Sequence, residues 1–210
     1  MSILDKLATA LNRRDEVPNQ LLAKQIAAKN DKKAVFELVT NLQNKNKNIQ
    51  ADCIKTLYEI GEIKAELIAD HTKEFMVLLE SKNNRMQWGA MHALNVITDV
   101  NPSSIYSVLG KIISAAEKGS VITKDHYVNI LIKLSQEKKY FKNTFPLLLE
   151  HLKGSLTNQL PKYAEDSLPL INANNKDVFL KTLISRLKDM DVETKKRRIE
   201  KVIRKVNEMK

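Results

Sequence analysis

Residues 85–97 read RMQWGAMHALNVI, and the spacing of their apolar positions decides the fold. Counted from Leu94, apolar or small residues stand eight, four and one positions earlier, at Met86, Ala90 and Ala93, and three positions later at Ile97. Those offsets line one face of a helix with 3.6 residues per turn. The pattern returns 37 residues upstream in NIQADCIKTLYEI, through Ile49, Cys53, Thr56, Leu57 and Ile60. It returns 37 residues downstream in TKDHYVNILIKL, through Thr123, Tyr127, Ile130, Leu131 and Leu134, and again in LPKYAEDSLPLI around Leu168 and Ile171. A fixed period of this size marks a helical repeat array, in which each unit buries its apolar face only by stacking on its neighbours.

Between these segments lie second stripes with the same helical spacing. They are Val35, Leu38, Val39 and Leu42; Leu67, Phe75, Leu78 and Leu79; Ile105, Leu109, Ile112 and Ile113; Leu148, Leu149 and Leu152; and Leu180, Leu183, Ile184 and Leu187. Each period therefore reads as a helix hairpin. Asn101 before Pro102 fits an N-cap and first helical residue, Pro161 opens a helix in the same way, and Gly61, Gly119 and Gly154 fall where connections are expected. Pro169 falls inside the fourth copy and should kink or end its helix.

This pattern resembles HEAT-like repeats, whose first helix carries small residues ending in Ala-Leu with an aliphatic residue one turn later. The clearest copy is RMQWGAMHALNVI with the preceding ELIADHTKEFMVLLESKNN, and the resemblance covers about residues 20 to 206. Most copies lack the family's Arg and Asp at their usual places. The resemblance implies an all-α, right-handed α-solenoid of about five helix pairs, roughly 10 to 12 helices, forming one domain over residues 1–210. A cap helix is expected over 1–19, hairpin repeats over 20–190 and a basic cap helix over 191–210. In such arrays the second helices line the concave surface.

Composition agrees with interlocking amphipathic helices: 43% of residues are apolar and only 5% aromatic. No apolar run reaches the roughly 18 residues needed to span a bilayer, and the first residues lack the pattern of a secretion signal. A single cysteine, Cys53, excludes an intrachain disulfide and agrees with a reducing, cytoplasmic location. The net charge of +10 is unevenly placed. Residues 1–105 carry 14 Lys+Arg against 13 Asp+Glu, whereas residues 106–210 carry 21 against 12. A basic second half suits an acidic or polyanionic partner.

The sequence contains no zinc spacing, phosphate loop or nucleophile elbow, and it implies neither a cofactor nor a metal. His71, His92, His126 and His151 stand alone, and Cys53 occupies a small-residue core position, where a thiol is inert. Glu66, Asp70 and Glu74 read as a solvated acidic stripe on one helix. Trp88, the only tryptophan, precedes the reference leucine by six positions, where a polar residue is expected. It either packs into a neighbouring repeat or anchors a partner. Ser107, Lys111, Ser114 and Lys118 form one polar stripe on second helices, and Lys181, Ser185 and Lys188 form another. Lys196, Arg197, Arg198, Lys201, Arg204 and Lys205 form a basic cluster on the last helix. It serves either as the soluble face of a cap or as a patch for phosphates.

These features point to a non-enzymatic scaffold that binds a protein or peptide through its concave helices, with Trp88, Lys111, Lys118, Lys181 and Lys188 as candidate contacts. The alternative is nucleic-acid binding through the basic C-terminal half. Its enzymatic extreme is similarity to the bacterial alkylpurine DNA glycosylases, for which Trp88 and Asp70 or Glu74 are loose counterparts. A third reading is a subunit of an assembly, joined through Leu4, Leu7 and Leu11 or through Ile199 and Ile203.

Overall fold

The apolar stripes emerge as helices in a computed structural model that describes residues 2–209, and those residues contain no strand. Twelve α-helices follow in chain order: α1 Val17–Lys29, α2 Lys32–Thr40, α3 Lys47–Lys64, α4 Thr72–Leu78, α5 Asn84–Ile97 and α6 Pro102–Ser107. After them come α7 Leu109–Lys118, α8 Val121–Gln136, α9 Lys138–Gly154, α10 Leu160–Ser167, α11 Lys176–Arg186 and α12 Glu193–Asn207. Short 3₁₀ turns punctuate the connections. The chain divides into two units, Met1–Tyr127 and Val128–Lys210, with the boundary inside α8.

In the first unit the leucine period describes the core directly. Leu57 of α3 and Leu94 of α5 have no exposed surface, nor do Cys53, Thr56 and Ile60 of α3 or Ala90, Ala93 and Ile97 of α5. Helix α3 packs against α1 on one side and α5 on the other. Helices α3 and α5 each start on a side-chain cap: Asn46 Oδ1 accepts from the Asn48 N–H, and Asn83 Oδ1 from the Arg85 N–H. Asn101 caps α6 in the same manner, with Pro102 in its first turn.

Gly61 departs from expectation. It lies within α3, not in a connection, because the packing there leaves no room for a side chain. A Cβ would come within 2.5 Å of Val96 Cγ2 and 2.6 Å of Ile68 Cδ1. Gly89 of α5 meets the same constraint in reverse, with Ile54 Cγ1 of α3 only 2.7 Å from where a Cβ would lie. Each helix thus presents a glycine to a branched residue of the other.

The N-terminal segment also departs from expectation. Residues 1–19 do not form a cap helix: among the described ones, a 3₁₀ turn at Ile3–Lys6 and the start of α1 are the helical pieces. The cause is a polar node built from distant residues. Asn19, fully buried, accepts from the Ala8 N–H at 3.0 Å and donates to Asp52 at 2.8 Å, and Asp52 accepts from the Thr9 N–H at 2.7 Å. Those two backbone donors are thereby taken away from any helix. Leu7 is buried beside them, whereas Leu4 is half-exposed and Leu11 exposed, and Asn12 adopts a left-handed conformation with φ 53°.

In the second unit α9 packs on α11, and α12 packs on both α10 and α11. Leu131, Leu134, Leu148, Leu152, Leu160 and Ala164 are fully buried. Pro169 ends α10 as expected: the helix stops at Ser167 and continues as a 3₁₀ turn, Leu168–Leu170. Ser167 and Leu170 are buried there, and the period residue Leu168 is half-exposed. Helix α11 is rotated from its expected stripe. Phe179, Thr182 and Leu183 face the core, Leu180 and Leu187 are half-buried, and Ile184 is exposed. Phe179 has no exposed surface, so the larger aromatic side chain sets the buried face.

Two glycines provide a paired test of the packing. Gly61→Ala should destabilise the chain by about 1–3 kcal/mol through overpacking. Gly110→Ala, at a helical site where a Cβ meets nothing within 4 Å, should stabilise it by about 0.5–1 kcal/mol. Urea unfolding of the two variants checks both signs.

Candidate functional site

Helix α7 buries Leu109, Ile112, Ala115 and Ala116, and a helix that turns these inward must turn Lys111, Ser114 and Lys118 outward. All three are exposed and line a cleft of about 490 Å³. Its opposite wall comes from the end of α4 and the residues after it, Met76, Leu79 and Glu80, and from Gln87 of α5. Gln87 donates to the Leu79 carbonyl at 2.9 Å, which fixes that wall. The lining carries two ammonium groups against a single carboxylate, Glu80, beside an apolar floor. Such a surface suits a segment that is acidic on one side and apolar on the other.

Lys181 and Lys188 belong to the second unit and are both exposed. They do not share a helix, because α11 ends at Arg186 and Lys188 sits in the following 3₁₀ turn, Leu187–Asp189. Arg186, the last residue of α11, reaches back to α9. Its guanidinium donates to the carbonyls of Leu152, Lys153 and Ser155 at 2.8, 2.6 and 3.0 Å, and its Nε pairs with Asp189. It therefore closes the C-terminus of α9, whose carbonyls have no helical partners.

The last helix buries Ile199, Val202 and Val206 and leaves Ile203 half-buried. Of its basic cluster, Arg197, Lys201, Arg204 and Lys205 are exposed, whereas Lys196 and Arg198 are half-buried. Arg198 forms a two-pronged pair with Glu165 of α10, at 2.8 and 2.6 Å, and Arg197 pairs with Glu193 one turn earlier. The Arg198 hydrogen bond holds the Glu165 carboxyl below its ordinary value of 4.5, and burial opposes the effect.

Sequence reasoning treated the histidines as isolated. The structure instead stacks His92 of α5 between Tyr58 of α3 and His126 of α8, with ring centroids 4.3 and 4.2 Å apart, and Trp88 lies against Tyr58 at 5.7 Å. His92 also pairs with Glu62. The signal was present in the numbering: Tyr58, His92 and His126 recur every 34 residues, three fewer than the leucine period. Each member thus sits nearly one turn earlier on its helix. Trp88 is half-buried in this ladder. Under the ladder Lys55, largely buried, bridges Glu16 at 2.9 Å and Glu59 at 2.6 Å, and Arg85 also reaches Glu16. Burial opposes the Lys55 charge, but the hydrogen bonds to Glu59 and Glu16 prevail and raise its pKa.

Other sequence candidates separate. Glu66, Asp70 and Glu74 fall on three elements, the turns Ala65–Leu67 and Ala69–His71 and helix α4, because the chain leaves helical geometry at Lys64, φ −154°. Burial pushes the Cys53 thiol up to about 12, so it stays protonated and unreactive. Among the described residues, no group of three or more His, Cys, Asp or Glu side chains is placed to hold a metal ion, and no helix is long and apolar enough to cross a membrane.

No family model matches the chain, and no curated protein does. Among solved structures it is similar to the crystal structure of an engineered protein, a Northeast Structural Genomics Consortium target, with 18% identity and a TM-score of 0.62 over 98% of each chain. Similarity at that identity shows a shared fold and says nothing of activity.

The Glu165–Arg198 pair makes a pH-dependent contribution. A carboxyl depressed in the folded state stabilises above its unfolded pKa, and that stabilisation is lost as pH falls through the folded value. Because both side chains are partly exposed, Glu165→Gln should cost only about 0.5 kcal/mol at neutral pH. The cost should vanish in acid, once the pH lies below the lowered folded-state value and the wild-type carboxyl is protonated too. Chemical unfolding at neutral and at acid pH measures the difference; an equal cost at both would exclude the ionic origin.

Proposed function

We propose that this chain is a non-enzymatic HEAT-like α-solenoid scaffold that binds an acidic, amphipathic protein segment in the cleft between α4 and α7. The single observation that carries the reading is the cleft itself. Lys111 and Lys118 stand two turns apart on one helix, with apolar Met76 and Leu79 across from them. The repeat architecture is supported by the alternation of helices and by the recurrence of Leu57, Leu94 and Leu131 as fully buried residues. A scaffold reading accords with the side chains most suited to chemistry. Cys53 is protonated and enclosed, and His92 is held in a stack of rings.

The recognition follows from elementary physics. A helical segment with leucines on one face would cover half-exposed Met76, removing its apolar surface from water, and would rest on a floor where Leu79 is already buried. Its acidic flank would meet two ammonium groups on flexible stems, each contact weak alone, so that charge sets orientation and encounter rate more than affinity.

Fluorescence anisotropy with a labelled helical peptide of Leu and Glu residues tests the assignment. Reversing Lys111 and Lys118 to Glu should weaken binding about 10-fold at about 50 mM salt, with a smaller effect at higher salt. Reversing Lys181 and Lys188 serves as the contrast. If the first pair leaves binding unchanged, the α4–α7 cleft is not the binding surface.

A further inference from the structure

The second unit contains a cleft of about 510 Å³ that differs in kind from the others. It is lined by the end of α8, the first turns of α9 and the loop after Pro169. Lys138 and Lys142, one turn apart, supply two cations, and no carboxylate is among the lining residues. In contrast, the cleft of about 540 Å³ by the N-terminal segment sets Arg13, Arg14 and Arg85 against Asp15, Glu16 and Asp52. There Arg13 is paired with Asp15 and Arg85 with Glu16. A surplus of unbalanced cations distinguishes the second unit's cleft.

Phe141, beside the two lysines on the same helix, also lines the cleft. Its ring is stacked on buried Phe145, with centroids 4.8 Å apart and planes 13° from parallel. One face is therefore covered and held rigid, while the residue as a whole remains half-exposed. Opposite it, the loop brings Asn172 and Asn174, with Gln136 beside them. The loop is fixed from within. Asn175 donates to the Leu170 carbonyl at 2.9 Å and accepts from the Asn172 N–H at 2.8 Å, and Asn172 accepts from the Asn174 N–H at 2.9 Å. Those bonds use the Asn172 and Asn175 side-chain oxygens and the Asn175 amide nitrogen, and the Asn172 amide nitrogen takes no part in them.

We infer that this cleft binds a nucleoside phosphate, free or within a single strand, with its base on Phe141 and its phosphate between Lys138 and Lys142. Each group answers a separate part of such a ligand. A rigid aromatic face accepts any base by stacking. Ammonium groups on mobile stems meet phosphate as point charges. Amide side chains both donate and accept, which suits base edges carrying both kinds of group. A peptide carboxylate would satisfy the lysines but would leave the aromatic face without a planar partner. The inference does not depend on the α4–α7 cleft, which lies in the other unit.

Two labelled octamers test it on the full chain, oligouridine and its abasic ribose phosphate counterpart, together with a titration of free ATP followed by ligand NMR. The wild type should bind oligouridine at about 50 mM salt, and the abasic strand about 5-fold or more weakly. Phe141→Leu, which keeps an apolar side chain over Phe145, should remove that base-dependent margin. Reversing the exposed Lys138 and Lys142 to Glu should weaken both octamers about 10-fold and flatten the salt dependence. If ATP binds in a Phe141-dependent way and the octamers do not, the source is a free nucleotide; the opposite pattern indicates a strand. Equal binding of the two octamers with no Phe141-dependent ATP binding would overturn the inference, as would failure of all three probes to bind. Unfolding midpoints of the variants close to the wild type separate a lost contact from a lost fold.

Discussion

The first unit depends on how closely α3 and α5 approach each other. Gly61 of α3 admits Val96 of α5, and Gly89 of α5 admits Ile54 of α3, so each backbone is a socket for a branched side chain from the other. A residue with a Cβ at either site would push the helices apart, and close-packed interiors transmit such shifts. The ring ladder of Trp88, Tyr58 and His92 crosses the same interface, as does the bridge from Arg85 to the Glu16 carboxylate held by Lys55. Rings in contact at 4.3 Å and carboxylates reached by two cations have little tolerance for separation. The glycines are thus a geometric condition for the polar and aromatic contacts above them, beyond their part in filling space.

How far the sequence revealed this depends on the range of each interaction. The leucine period was legible because it reports a local relation, helix face to core, repeated with little change, and Leu57, Leu94 and Leu131 are all fully buried. Pro169 was legible for a similar reason, since its effect acts within its own helix. The N-terminal segment was not. Its amphipathic spacing is real, but the N–H groups of Ala8 and Thr9 are claimed by Asn19 and Asp52, the second of them 43 residues away from Thr9. The ladder was missed because it follows a spacing of 34, which no core argument would seek. Gly61 was misread because glycine in a sequence suggests a turn, and only the neighbouring helix shows that close approach is the reason.

Charge was legible as a total and misleading as a distribution. The basic excess of the second half suits an acidic or polyanionic partner, yet part of it is structural. Arg186 is spent on the carbonyls ending α9 and Arg198 on Glu165, whereas Arg197 stays exposed beside Glu193. The forked guanidinium suits these bridging tasks, which an ammonium group would perform less well. The cations that line the two candidate clefts are all lysines: Lys111 and Lys118 in one, Lys138 and Lys142 in the other. In these places the arginines serve the fold, and the lysines line open clefts.

Lys55 is the exception that clarifies the rule. It is a lysine kept from water, and its burial disfavours charge, yet its pKa is raised because Glu16 and Glu59 both accept from it. A group raised in the folded state stabilises at every pH below its unfolded value and loses that contribution only in strong alkali. Its partner Glu16 behaves oppositely: burial resists its ionisation, but Lys55 and Arg85 depress its pKa, so its contribution fades in acid. The cluster therefore holds the loop before α1 onto α3 and α5 across the whole neutral range. Because Glu16 and Glu59 remain partly solvated, it avoids the full desolvation penalty of a buried ion pair.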